Sequence, residues 1–139
     1  MRKTFILLFT FLSFLAFSQS KTENPTLGYY CGYSGSATQV VKKFSDLIYK
    51  KDYKTIKSLL YSKIPSENFL AVVLCRRFAY QKIITLSETD SKRITELFKS
   101  KEKVPLCGGC TEHDEVELSK MLNEQQNITN AIEYFFREN

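Results

Sequence analysis

The chain has 139 residues, 43% of them hydrophobic, and 20 Lys and Arg against 15 Asp and Glu for a formal net charge of +5. That length argues against several domains and suits one core that can form without disulfides. The modest charge, and the lack of RNP-type or zinc-finger spacing, argue against nucleic acid as a partner. Charge is unevenly spread: residues 36–110 carry 15 basic and 7 acidic side chains, residues 111–139 carry 2 and 7. Solvated helix faces, complementary packing of the two parts, or a basic face for an acidic partner would each produce that division.

Arg2 and Lys3 precede an apolar run over residues 5–17, and Ala16-Phe17-Ser18 places small residues at its end. This is the pattern of a secretory signal peptide, residues 1–18. The run is shorter than the roughly 20 residues that span a bilayer, so no transmembrane span is expected in the mature chain. The expected location is periplasmic or extracellular, where cysteines pair.

Residues 19–35 read as an irregular segment, because Pro25, Gly28, Gly32 and Gly35 interrupt any helix. Tyr29, Tyr30, Cys31 and Tyr33 are not the composition of a loose tail, so the segment is expected to be held by aromatic packing and by Cys31.

Residues 36–139 read as a single α-helical domain. Ser36 is a candidate cap for a helix with Val40, Val41, Phe44, Leu47 and Ile48 on one face. Asp52 is a candidate cap for a second helix with Ile56, Leu59 and Leu60. Pro65 should end it, with Ser66 capping a third over residues 67–82 that is apolar most of the way round and therefore central. Ser87, Thr89 or Asp90 can start a fourth, bearing Ile94, Leu97 and Phe98, and Lys99, Lys101 and Lys103 suit its C-terminal end. Thr111 with Asp114 resembles a capping box for a fifth helix with Val116, Leu118, Met121 and Leu122. A last helix uses Ile128, Ile132, Phe135 and Phe136. No segment shows a clear strand alternation.

Ile56, Leu59 and Leu60 recur as Ile94, Leu97 and Phe98 at an offset of 38 residues. On that spacing, residues 36–125 resemble a short HEAT or armadillo-type α-helical repeat, whose period is about 40 residues. The resemblance implies a protein-binding scaffold without catalytic residues. The expected fold is therefore all-α: a bundle or short repeat array of five to six helices, with a disulfide-tethered N-terminal segment.

Cys31, Cys75, Cys107 and Cys110 can pair in three ways, and the pairing Cys31–Cys75 with Cys107–Cys110 is preferred because it closes the local C-x-x-C. Two other chemistries use the same turn. C-G-G-C beside a helix start resembles the thioredoxin-type dithiol, although no strands are expected around it and the acidic residues that follow disfavour a thiolate. Cys107, Cys110 and His113 could also contribute to a zinc site.

The chain has no G-x-S-x-G elbow, P-loop, G-x-G-x-x-G or H-E-x-x-H, so neither catalytic residues nor a cofactor is expected. Lys42, Lys43, Lys50, Lys51, Lys54 and Lys57, with Tyr29, Tyr30 and Tyr33, form a candidate interaction surface. The sequence thus points to an exported module that binds another protein, with a dithiol redox or zinc protein as the alternative.

Overall fold

The computed structural model describes residues 25–108 and 112–137. The expected signal peptide, Cys110 and Thr111 lie outside them. Helix α1 spans Gln39–Tyr49, and α2, Tyr53–Ser58, runs into a 3-10 turn at Leu59–Tyr61. Helix α3 spans Pro65–Tyr80 and α4 Glu88–Leu97. Strands β1, Lys103–Gly108, and β2, Glu112–Glu117, form a hairpin before α5, Leu118–Asn123, and α6, Gln125–Phe136. The fold is mostly helical with six helices among the described residues, and the small sheet corrects the all-α expectation.

Local chemistry explains the helix boundaries. Helix α1 starts after Thr38, two residues beyond the expected cap at Ser36, and buries Val40, Val41 and Phe44. Asp52 caps α2 as expected, accepting from the Thr55 N–H at 3.1 Å and the Thr55 hydroxyl at 2.7 Å. Pro65 begins α3 instead of preceding it, because a first-turn residue needs no N–H partner. Ser66 is consequently buried in the first turn and does not cap the helix. Ser87 and Asp90 form a reciprocal capping box at the start of α4.

Helices α1 and α3 close with the same C-terminal motif. Lys51 donates to the Ile48 carbonyl and Asp52 to Leu47, while Lys82 donates to Ala79 and Ile83 to Phe78. This Schellman pattern needs a left-handed residue, usually Gly. Here lysines occupy it, with φ of 55° at Lys51 and 58° at Lys82.

Helix α3 is the axis of the core. Phe69, Leu70, Ala71, Leu74 and Cys75 are at most 1% exposed, and other elements pack around this helix. Its Phe78 sits edge-on to Tyr53 of α2 at 4.9 Å and to Phe136 of α6 at 5.6 Å. Of the three pairs in the 38-residue echo, only Ile56 and Ile94 are both buried; Leu59 and Phe98 are half-buried where their counterparts Leu97 and Leu60 are buried. Moreover, α4 leads into β1 and not into a counterpart of α3, so the described residues do not continue a helix-pair repeat.

The fifth helix was expected to begin near Thr111, but residues 112–117 are strand and helix α5 starts only at Leu118. The hairpin pairs Val104 with Val116 and Cys107 with His113. Val104 is fully buried on the helical core. Acidic Glu112, Asp114, Glu115 and Glu117 mask the strand in a hydropathy reading.

The N-terminal segment is fastened to this hairpin. Leu27 makes a parallel bridge with Leu106: its N–H donates to Pro105 at 2.7 Å and its carbonyl accepts from Cys107 at 3.0 Å. Gly28 accepts from the Thr38 N–H at 3.0 Å, which joins the segment to the start of α1. The turn between Cys31 and Ser36 uses Gly32 and Gly35 at φ of 68° and 59°.

Candidate functional site

Cys31 is bonded to Cys107 with the Cα atoms 5.8 Å apart. This replaces the preferred Cys31–Cys75 pairing. The reason is packing: the N-terminal segment runs along β1, whereas Cys75 faces the core from the middle of α3 as a buried free thiol. Burial, with a smaller effect of Asp90, pushes the Cys75 thiol up to about 12. A thiol held protonated in this way is a poor nucleophile.

Of the C-G-G-C motif, Cys107 and Gly108 lie within the described residues and form the end of a strand, while Gly109 and Cys110 lie outside them. Cys107 lies on β1, eleven residues before the start of α5, so no helix N-terminus stands behind it to lower its pKa. His113 is its register partner across the hairpin, and not a neighbour on one turn. The Cys107 sulfur is held here in a disulfide with Cys31 and not as a thiolate. Gly28 lies directly against the bond: a Cβ there would collide with both Sγ atoms.

The lysine and tyrosine surface is partly consumed by the fold. Lys43 pairs with Glu67 at 2.6 Å, Lys50 with Asp46 at 2.8 Å and Lys57 with Asp90 at 3.5 Å. Lys42, Lys51 and Lys54 are exposed. Tyr29 packs on Tyr134 at 5.0 Å and edge-on to Phe135 at 6.3 Å. Its hydroxyl is buried without a hydrogen-bond partner, and burial raises its pKa. Tyr30 stands edge-on to Tyr134, and Tyr33 is exposed on the glycine turn.

A buried polar cluster beside the 3-10 turn fulfils a structural role. Asn68 Nδ2 donates to the carbonyls of Leu59, Leu60 and Ser62 at 3.0–3.3 Å. The Ser62 hydroxyl donates to Glu67, and Arg93 Nε donates to the Leu60 carbonyl at 2.9 Å. The contacts from Asn68 and Arg93 supply donors to carbonyls of the short turn, of which that of Leu59 also accepts from the Ser62 N–H.

The feature that sequence reasoning missed is an open groove of about 270 Å³ between α3 and the α5–α6 pair. Val72, Val73 and Leu122 form its buried floor, and Ile128 and Ile132 of α6 form one wall. Arg76, Arg77 and exposed Tyr80 of α3 form the other. Arg76 lies over the Phe98 ring at 5.4 Å and Arg77 over Phe136 at 5.9 Å. Among the described residues neither guanidinium is in an ion pair, and Arg77 Nε is buried with no hydrogen-bond partner. The sequence signal was the adjacent pair Arg76-Arg77 directly after the apolar run of residues 69–75.

Comparison with protein-family models, curated proteins and solved structures finds no match to this chain.

Proposed function

We propose that this is an exported binding module without catalytic chemistry, which docks another protein in the groove between α3 and α5–α6. The groove carries the reading. It joins an apolar floor to Arg and Tyr, the residue types that dominate binding energy at protein interfaces. The disulfide and the lack, among the described residues, of any helix long and apolar enough to cross a membrane are compatible with export. With Cys107 bonded to Cys31 and Cys75 buried, both act as parts of the scaffold in this reading.

The test is site-specific photocrosslinking in the exporting cell, with the probe at Ile128 in the groove or at Lys54 on the basic surface. A discrete crosslinked protein from Ile128 but not from Lys54 supports the reading. A discrete product from Lys54 alone moves docking to the lysine and tyrosine surface. Absence of any discrete product from either position overturns the binding-module assignment.

A further inference from the structure

We infer that the occupant of this groove is an acidic, aliphatic segment of a partner protein. The inference deepens the proposed docking function and rests on it. Three observations point to this chemistry. The floor and the α6 wall are aliphatic, with Val72, Val73 and Ile128 among them, so they match branched or long alkyl side chains. No Asp or Glu lines the groove, so its charge comes from Arg76 and Arg77. Finally, neither guanidinium is in an ion pair among the described residues, so the groove's positive charge is not neutralised within the fold.

Arg93 supplies the contrast. Its Nε donates to the Leu60 carbonyl, and its Nη1 is 3.6 Å from Glu96. That arginine is satisfied within the fold. Arg76 is exposed and Arg77 part-exposed beside the apolar floor, and a planar guanidinium placed there suits a carboxylate, which can accept two parallel hydrogen bonds. Stacking on Phe98 and Phe136 limits the orientations of both arginines before anything binds, so less side-chain entropy is lost on docking. An open groove between α3 and α6, floored in part by α5, fits a helical segment laying its apolar stripe between them.

The test uses the oxidised mature chain and a displayed library of random peptides. Enriched peptides are then synthesised with a fluorophore and titrated by anisotropy. They should combine aliphatic residues with Asp or Glu. Arg77→Glu should weaken them by about 10- to 100-fold, as expected for a desolvated charge contact. Replacing the peptide's acidic residue by Lys should recover binding to that variant. Exposed Arg76→Glu serves as a second variant should Arg77→Glu alter the thermal midpoint. Enriched peptides without acidic residues, or indifferent to both substitutions, overturn this inference and leave the binding-module reading standing. No enrichment, together with dodecanoate binding that Arg77→Glu abolishes, overturns the protein occupant and reassigns the groove to a fatty anion. No binding of either probe overturns the inference as well.

Discussion

Tyr61 donates its hydroxyl to Asp90 Oδ1 across 3.0 Å, joining the turn after α2 to the first turn of α4. The same carboxylate accepts from the Ser87 N–H at 2.9 Å and lies 3.5 Å from Lys57 Nζ. One buried side chain thus fixes a helix start, a turn and a cation.

Burial alone would raise the Asp90 pKa. Hydrogen bonds from Ser87 and Tyr61, with the charge of Lys57, outweigh it and hold the carboxyl below its ordinary value of 3.8. A depressed folded-state pKa contributes stability above the ordinary value, and that contribution is lost as pH falls through the folded value. Asp90→Asn should therefore lower stability near pH 7 by about 1 kcal/mol and flatten its decline below pH 4. Urea midpoints measured across acid pH check both; an unchanged acid decline contradicts the assignment.

Cys75 gives the opposite limb. The folded protein keeps its thiol protonated up to about 12, whereas an exposed thiol ionises near 9.0. Stability should fall as pH rises above 9.0 because the unfolded chain releases that proton. Cys75→Ala should remove this part of the alkaline decline while costing about 1 kcal/mol at neutral pH. In mass spectrometry, Cys75 should alkylate on unfolding without reductant, while Cys31 and Cys107 should require reduction.

Cys31 and Cys107 are 76 residues apart, and on the chain-entropy account closing such a loop stabilises the fold by about 4 kcal/mol. Cys31→Ala with Cys107→Ala should lower the urea unfolding free energy by about that amount. Retention of the oxidised midpoint would show that the bond gives the fold no net stabilisation.

Gly28→Ala places a methyl group against both sulfurs. The expected cost is about 1–3 kcal/mol, the range for overpacking. In the variant lacking the disulfide the same substitution should cost less, so a double-mutant cycle reads the contact between Gly28 and the bond.

Lys51 and Lys82 hold left-handed backbone at the ends of α1 and α3. Each replaced by Gly should raise stability by roughly 0.5–1 kcal/mol, since the steric cost of a Cβ at positive φ exceeds the added freedom of the unfolded chain. Calorimetry on Lys51→Gly and Lys82→Gly tests this; a lower thermal midpoint in both would contradict it.

The helices were legible where a side chain fixes its own neighbourhood. Asp52 and the Ser87–Asp90 box announce helix starts within three residues, and the apolar faces around Phe44 and Leu60 follow from spacing. The hairpin was not legible, because its pairing is made by contacts distant in sequence. Acidic β2 hides Val116 among charges, and β1 carries Pro105, whose carbonyl accepts from Leu27 far upstream. The disulfide follows the same logic, since Cys31 meets Cys107 only once the N-terminal strap lies along β1. The groove depends on the approach of α6 to α3, and sequence shows only its two arginines.

A chain that emerges N-terminus first presents Cys31, then Cys75, and only later Cys107. The first thiol Cys31 can meet is thus the wrong one. Helix α3 settles the choice by taking Cys75 into the interior, where it is fully shielded and stays protonated. In the folded chain the central helix thus keeps the competing thiol out of reach of Cys31 and shields the native pairing from exchange with it.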